Sequence, residues 1–237
     1  MRVALISDLH ANLHALDAVL ADIEGAKVDQ TYCLGDIADL GPDPAAIVDR
    51  LRERDIPCII GNHDAFPEKP IEPEDLHLWS KDQLSAEQLQ WLRSLPFERT
   101  VDLGRGRVLK LFHGSPRSFD EGFTSEVSPE QIAEWLEQAG LPQVVAVGHT
   151  HVQSIREING RFYINVGSAG MPFIRPFAGI GSPTMLPWAE YAIIDASTPD
   201  IRVELRIVDY PFQQMLARAR EVGLPDYETW SSNFRVS

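Results

Sequence analysis

The sequence predicts an α/β fold, and two observations support it. Short apolar stretches alternate with amphipathic stretches of helical period over the first sixty residues, and strand patterns dominate the last hundred. The chain has 237 residues, 44% of them hydrophobic, which is enough to bury a full core. We therefore expect one globular domain over residues 1–237.

Strands and helices are predicted to alternate in the first sixty residues. The predicted elements are strands at 3–6, 31–34 and 57–60 and helices at 12–25 and 44–54. Asn12 is placed to cap the first helix, and the apolar positions after it follow a helical period. Strands in such an alternation run parallel, so their carboxyl ends meet at one edge of the sheet.

Two irregular loops are predicted in the rest of the chain. Residues 66–84 hold three prolines among charged residues, and residues 167–187 hold four glycines and four prolines. The remaining predictions are helices at 85–94, 129–138 and 212–221, hairpins at 101–112 and 152–166, and strands at 143–147, 190–195 and 202–208. A polar tail is expected after the last helix.

The charge of the chain limits the partners it can have. Its 21 basic and 35 acidic residues give a formal net charge of −14, which disfavours nucleic acids and anionic membranes because both are polyanions. No apolar run approaches the roughly 18 residues of a membrane helix. Cys33 and Cys58 lie in apolar runs and are expected to be buried free thiols. These features predict a cytoplasmic protein without a membrane partner.

Metal-binding residue types follow the predicted strands. The segments are Asp8-Leu9-His10, Gly35-Asp36, Gly61-Asn62-His63-Asp64, His113-Gly114 and Gly148-His149-Thr150-His151, and they contain five of the seven histidines. Each segment alone is more often structural, but together at strand ends they indicate a site. Carboxylate, amide and imidazole ligands without thiolates favour Mn²⁺, Fe²⁺ or Zn²⁺. Two ions sharing one carboxylate would use all seven candidate donors, which are Asp8, His10, Asp36, Asn62, His113, His149 and His151.

This ordered series resembles the calcineurin-like metallophosphoesterase superfamily over about residues 1–170. The segments His113-Gly114-Ser115-Pro116 and Asn165-Val166-Gly167-Ser168 are similar to its small bacterial and archaeal branch of phosphodiesterases and protein-phosphatase-like proteins. We accordingly expect a four-layer α/β/β/α sandwich, in which two mixed sheets face each other and helices flank both.

The resemblance implies that two divalent ions bind to each chain and that Asp36 bridges them. Mn²⁺ is favoured, with Fe²⁺, Zn²⁺ and Ni²⁺ as alternatives. The implied ligands are Asp8, His10, Asp36 and His151 for the first ion and Asp36, Asn62, His113 and His149 for the second. His63 would face the scissile phosphate as the general acid, oriented by Asp39 or Asp64. The spacing from Asp36 matches the related Ser/Thr phosphatases and favours Asp39.

Four residues are candidates for substrate binding: Asn12, Asn62, Arg117 and Arg175. An arginine fork suits a phosphate group, and Arg117 follows a ligand histidine. Leu40 stands where the eukaryotic-type protein phosphatases carry a phosphate-gripping arginine, which weakens any expectation of phosphoprotein activity. His77 lies in the proline-rich loop, where a lid role is one interpretation.

These residues predict a dinuclear-metal-dependent phosphoester hydrolase, with phosphodiesterase activity favoured. A phosphomonoesterase or phosphoprotein phosphatase is the first alternative. A non-catalytic binding scaffold, as in the retromer subunit of this fold, is the second, and the complete ligand set argues against it. The acidic charge argues against a nuclease. The expected partner is a small phosphoester, with nucleotides among the candidates, and the sequence does not indicate an oligomeric state.

Overall fold

Two mixed sheets face each other, with helices on the outer side of each. The computed structural model describes residues 1–66, 76–177, 179 and 181–235. The first sheet contains β1 (Arg2–Ile6), β2 (Gln30–Cys33), β8 (Ala189–Asp195) and β9 (Arg202–Val208), in the order β2-β1-β8-β9. The second contains β3 (Arg99–Gly104), β4 (Arg107–Leu111), β5 (Val144–Val147), β6 (Ser154–Ile158) and β7 (Arg161–Asn165), in the order β3-β4-β5-β7-β6. This arrangement confirms the expected four-layer sandwich.

The helices begin and end close to their predicted positions where capping residues mark them. They are α1 (Leu13–Ala26), α2 (Pro44–Glu53), α3 (Leu76–Asp82), α4 (Ala86–Arg93), α5 (Pro129–Gln138), α6 (Phe212–Glu221) and α7 (Tyr227–Ser232). The hydroxyl oxygen of Ser85 accepts the N–H of Gln88 at the start of α4, and Ser128 caps α5 in the same way. Across the described parts of the chain, no helix is long and apolar enough to cross a membrane.

Alternating strand residues build three apolar layers between these four layers. Val3 and Leu5 of β1 point between the two sheets, whereas their neighbours Ala4 and Ile6 point toward α1 and α2. The same alternation in β5 turns one face inward and the other toward Trp135 of α5. Both sheets are therefore buried on both faces at their central strands, as their continuous apolar runs predict.

Parallel pairing brings strand ends to a common edge in each sheet. β1 is parallel to β2, while β4 and β7 are both parallel to β5. β1 also pairs antiparallel with β8, so the first sheet combines the two ends of the chain. The second sheet is built from residues 99–165 alone. The loops after β1, β2, β4 and β5 meet where the two sheets face each other.

The predicted third strand at residues 57–60 is wrong. Only one isolated bridge, between Cys33 and Cys58, links this segment to β2. The N–H of Ile60 donates instead to the C=O of Pro96, so the chain turns away from the sheet after two residues. Both cysteines are buried and have free thiols.

Two helices lie where the sequence predicts irregular structure. α3 falls inside the predicted loop 66–84, because the prolines end at Pro73 and Leu76 and Trp79 pack against the first apolar core. α7 falls inside the predicted polar tail, where Tyr227 and Trp230 face the same core. Tertiary packing stabilises both short helices, which their own sequences only weakly favour.

Candidate metal centre

The loops that follow β1 and β2 run side by side and are joined by backbone hydrogen bonds. The backbone N–H of Asp8 donates to the C=O of Gly35 at 3.0 Å, and the backbone N–H of His10 donates to the C=O of Asp36 at 3.0 Å. Asp8, His10 and Asp36 have φ values of 52°, 43° and 52°, which cost a non-glycine residue about 1–2 kcal/mol. A Cβ at Gly35 would collide with Gly61. The fold therefore tolerates backbone strain that brings these side chains together.

The second sheet contributes three histidines to the same point. His113 follows β4, and His149 and His151 follow β5, the last two with φ values of 67° and 57°. The N–H of His149 donates to Asp8 Oδ2 at 3.0 Å, which joins the two sheets. Gly148 permits this close approach, because a Cβ there would collide with the Asp8 carboxylate.

Backbone carbonyls orient two of the imidazole rings. The Nδ1–H of His113 donates to the C=O of Leu34 at 2.7 Å, and the Nδ1–H of His151 donates to the C=O of Met171 at 2.6 Å. A carbonyl only accepts, so in the neutral rings the proton is assigned to Nδ1 and the Nε2 lone pair faces the cluster. This is the arrangement that metal-binding histidines ordinarily have.

The first cluster contains Asp8, His10, Asp36 and His151, and all four are buried. The Nε2 atoms of His10 and His151 are 3.0 Å apart, and Asp8 Oδ1 is 3.3 Å from His151 Nε2. Among the described residues, no well-formed hydrogen bond reaches Asp8 Oδ1. A buried carboxylate oxygen without a donor is costly unless a cation lies beside it.

The second cluster contains Asp36, His113 and His149, with Asn62 beside them. Asp36 Oδ2 lies 3.3 Å from His113 Nε2. Asn62 Oδ1 lies 2.9 Å from His113 Nε2 and 3.1 Å from His149 Nδ1. Asp36 belongs to both clusters, so all seven predicted donors converge on one carboxylate.

The donor set fits divalent metal ions. It consists of carboxylate and amide oxygens and imidazole nitrogens, which suit borderline transition metals. The 3.0 Å approach of the Nε2 atoms of His10 and His151, and the lack of a well-formed hydrogen bond to Asp8 Oδ1 among the described residues, are features that a bound cation would satisfy. The structure brings the seven predicted donors together, and they are residues that could hold metal ions.

His63 and Asp39 form a pair at the edge of this cluster. The Nδ1–H of His63 donates to Asp39 Oδ2 at 2.7 Å. Burial opposes the imidazolium, but the bond to Asp39 and the charge of Asp36 outweigh it and raise the pKa of His63 to about 9. Burial likewise opposes the Asp39 carboxylate, and its hydrogen bonds from two histidines nevertheless lower its pKa to about 2.

Asp64 does not contact the ring of His63. Its carboxylate accepts the backbone N–H groups of Asp36, Ile37 and Gly61 at 2.8 to 2.9 Å. Burial, with the nearby charge of Asp36, raises the pKa of Asp64 to about 7. Of the two carboxylates left open by the sequence, the one beside His63 is Asp39, and Asp64 instead holds the loop backbone.

Asn12 holds its own loop, and it is not among the described residues that line the cavity above the clusters. Its Oδ1 accepts the N–H of Ala15 at 3.1 Å, and its Nδ2 donates to the C=O of Gly170 at 2.9 Å and to Tyr210 Oη at 3.2 Å. The side chain is buried and caps α1. The sequence predicts both a helix cap and a substrate contact for Asn12, and the structure shows the cap.

The two candidate arginines, Arg117 and Arg175, have no hydrogen bond or ion pair with the cluster residues among the described contacts. Arg117 forms ion pairs with Glu121 at 2.5 Å and Glu134 at 3.2 Å on the surface. Arg175 is exposed. Neither is among the described residues that line the cavity above the cluster, so the structure does not support their predicted substrate contacts.

A cavity of about 460 Å³ opens above the two clusters. His10, Asp36, Asn62, His63, His149 and His151 form its floor, and Leu40, Phe173, Pro176, Phe177, Asp120 and Thr124 are on its walls. The Phe173 ring stacks on His151, with centroids 4.1 Å apart and an interplanar angle of 21°. No lysine or arginine lines the cavity within the described ranges.

His77 is a site residue whose partner the sequence did not reveal. It lies on α3, and its Nδ1–H donates to Asp39 Oδ2 at 2.5 Å. The sequence placed it in an irregular loop, because its contact with Asp39 spans 38 residues and leaves no local pattern. One sequence feature pointed to His77: the chain has only seven histidines, and five of them already lie in the predicted site segments.

Comparisons with known proteins agree with this geometry. A metallophosphoesterase from Sphaerobacter thermophilus has 31% sequence identity and a TM-score of 0.75, with 98% of this chain and 100% of that one covered. A hypothetical protein from Pyrococcus horikoshii OT3 has the same fold, with a TM-score of 0.82 at 20% identity over 99% and 98% of the chains. An uncharacterised protein of Methanocaldococcus jannaschii is 26% identical over 95% of this chain and 94% of its own.

The family is shown by a match over most of the chain. Residues 1–182 match the family model described as the calcineurin-like phosphoesterase superfamily domain. Proteins of this family are generally metal-dependent hydrolases, and the two clusters lie within the matched residues. The chain belongs to the calcineurin-like phosphoesterase superfamily.

Proposed function

We propose that this protein is a phosphodiesterase that uses two divalent metal ions, with Mn²⁺ favoured, to hydrolyse a small phosphodiester. The observation that carries the proposal is the pair of ligand clusters sharing Asp36 at the floor of a cavity without lysine or arginine among its described lining residues. The two ions would then be the main positive charge that a substrate meets.

Two ions explain the ligand set better than one. The first would be held by Asp8, His10, Asp36 and His151, and the second by Asp36, Asn62, His113 and His149. Seven donors exceed the coordination of one tetrahedral ion, whereas a shared carboxylate gives each ion four. When bound, such a pair supplies an activated water and positive charge for the phosphoryl oxygens.

His63 is the proposed general acid. Its Nδ1–H is held by Asp39 at 2.7 Å, so Nε2 is the ring atom left to meet a substrate in the cavity. The surrounding carboxylates favour the imidazolium near neutral pH. As the P–O bond breaks, His63 Nε2 gives its proton to the departing oxygen, a contribution of typically 10²–10⁴-fold for a poor leaving group.

The charge of the cavity favours a diester over a monoester. A monoester carries about two negative charges at neutral pH and a diester one. Leu40 lines the cavity at the position where related phosphatases carry a phosphate-gripping arginine, and Asp120 adds a carboxylate to the wall. Among the described lining residues a dianion would meet an extra carboxylate and no arginine, so a monoanionic substrate suits this wall better.

The cavity also offers a place for the second ester group. Phe173, Pro176 and Phe177, from the predicted loop 167–187, form an apolar wall beside the ligand cluster. Phe177 is 47% exposed, so a flat or apolar group could cover its ring. A small diester with one aromatic arm, nucleotide diesters included, fits this wall, and a long nucleic acid does not fit the net charge of −14.

A side-by-side assay tests the proposal. The values of kcat/KM for bis-p-nitrophenyl phosphate and p-nitrophenyl phosphate are measured at the same Mn²⁺ concentration and pH, with protein stripped by a chelator as control. We expect the diester to be the better substrate and the stripped protein to be inactive on both. A tenfold preference for the monoester, about 1.4 kcal/mol, would favour a phosphatase, and metal-independent turnover would refute the mechanism.

A further inference from the structure

We infer that His77 is a positioning residue for His63 and acts through the carboxylate of Asp39 that both share. The inference rests on the proposed function, because it concerns the general acid of that reaction. Asp39 Oδ2 accepts the Nδ1–H of His63 at 2.7 Å and the Nδ1–H of His77 at 2.5 Å. One hydrogen bond from Asp39 would be enough to orient the His63 ring, so the second donor, His77, calls for a role of its own.

The contacts of Asp39 leave it one arrangement. Its side chain is completely buried, and its Oδ1 accepts the N–H of Leu40 at 2.7 Å. Three donors thus use three of the roughly four lone-pair sites of the two oxygens, and rotation of the carboxylate would break at least one charge-assisted hydrogen bond. The plane of this carboxylate sets the direction from which His63 Nδ1 approaches.

His77 is itself held firmly enough to serve as an anchor. Its ring stacks on the buried Phe66, with centroids 4.6 Å apart and an interplanar angle of 25°. It stands on α3, and the neighbouring Trp79 packs against the first apolar core. The rings of His63 and His77 meet edge to face at 6.1 Å, and His63 also lines the cavity.

Loss of the second donor should affect proton transfer more than binding. With only His63 and Leu40 as partners, the carboxylate could turn and carry the His63 ring with it. Misplacement of a catalytic group by about 1 Å can cost on the order of 10²-fold in rate. A leaving group that needs a proton is sensitive to this change, and a nitrophenolate is much less so.

The test uses the metal-loaded protein with His77→Leu and His77→Asn. Asparagine can place its Nδ2 donor near the position of the histidine Nδ1, whereas leucine keeps bulk without a donor. We expect His77→Leu to lower kcat about tenfold for a dialkyl diester and less than threefold for bis-p-nitrophenyl phosphate, with KM changed less than twofold. His77→Asn should restore most of the loss. Adding His77→Leu to His63→Gln should cause no further loss on the dialkyl diester.

Other outcomes would overturn the inference. Equal losses on both substrates, or losses that add to those of His63→Gln, would show a merely structural role. Asp82→Asn, an exposed change on the same helix, is the matched control and should leave both rates unchanged. The three donor atoms of Asp39, His63 and His77 lie within 4.8 Å of one another. Three bound ions in the wild type and two in His77→Leu would make this cluster a metal site instead.

A spectroscopic measurement keeps the inference testable without turnover. In the wild type, the Nδ1–H protons of His63 and His77 should both give far-downfield proton NMR signals. His77→Leu should remove one signal and shift the other. An unshifted His63 signal would overturn the positioning role. If the wild type hydrolyses no diester with any metal, the proposed function fails, while the NMR result still decides whether His77 sets the environment of His63.

Discussion

The stability of the Glu190→Gln variant relative to the wild type should increase as the pH rises from 5 to 8. Glu190 lies in β8, where its side chain is buried. Its Oε1 accepts the Nε1–H of Trp188 at 3.1 Å, while no well-formed hydrogen bond reaches Oε2 among the described residues. Burial raises the pKa of Glu190 from 4.5 to about 7, and the bond from Trp188 only partly opposes it.

The size and the sign of the effect follow from this pKa. The difference between 4.5 and about 7 corresponds to about 3 kcal/mol. As the pH rises, Glu190 loses its proton near pH 4.5 in the unfolded chain but only near pH 7 in the folded protein. The free energy of unfolding of the wild type therefore falls between pH 4.5 and 7, and this loss of stability stays constant at higher pH. Glutamine has no charge to lose, so the stability difference should grow by about 3 kcal/mol over this window.

Urea unfolding of both proteins at pH 5, 6, 7 and 8, in a chelator so that metal binding does not contribute, measures the difference. An unsatisfied glutamine amide would lower stability by about 1–3 kcal/mol at every pH, so the slope and not the absolute value is diagnostic. Glu157→Gln, at an exposed position in β6, is the matched control for the loss of one carboxylate. A flat or falling difference for Glu190→Gln would refute the raised pKa.

Three further predictions concern the site. Asp36→Asn should remove both ions, as measured by elemental analysis after reconstitution with Mn²⁺, because one carboxylate serves both clusters; loss of one ion would place the bridge elsewhere. His63→Gln should keep the ion content and slow a dialkyl diester by about 10²–10⁴-fold, with nitrophenyl esters affected least; equal losses would argue against a general acid. Phe177→Ala should lower kcat/KM for phenyl p-nitrophenyl phosphate about threefold to tenfold, from a lost aromatic contact, and leave methyl p-nitrophenyl phosphate unchanged; equal losses would exclude a contact with the second ester group.

The sequence predicted those parts of the fold that local patterns control. β9 and α6 have the predicted bounds, because alternation and helical period there are uninterrupted. The segment at 57–60 has the apolar run of a strand, yet the bond from Ile60 to Pro96 draws it off the sheet. A local sequence pattern cannot predict this hydrogen bond, because its acceptor, Pro96, lies 36 residues further along the chain.

The candidate ligands were predictable for a related reason. Residues at the carboxyl ends of neighbouring parallel strands lie at the same edge of the sheet, so the sequence alone predicts that Asp8 and Asp36 lie close together. Roles that depend on which atoms meet could not be assigned this way. The side chain of Asn12 caps α1 and donates to the C=O of Gly170. His77 contacts Asp39 because α3 packs beside it, a contact between residues far apart in sequence.

The pairing of β1 with β8 also sets the order in which the molecule can be completed during synthesis. Val3 lies opposite Ile194, about 190 residues later in the chain. At about 5–20 residues per second, β8 follows β1 from the ribosome by roughly 10–40 seconds. Over that interval β1 has only β2 as a partner and an open edge. The second sheet, complete by Asn165, can form in the nascent chain, whereas the loop carrying Asp8 gains its full support only after β8 has been synthesised.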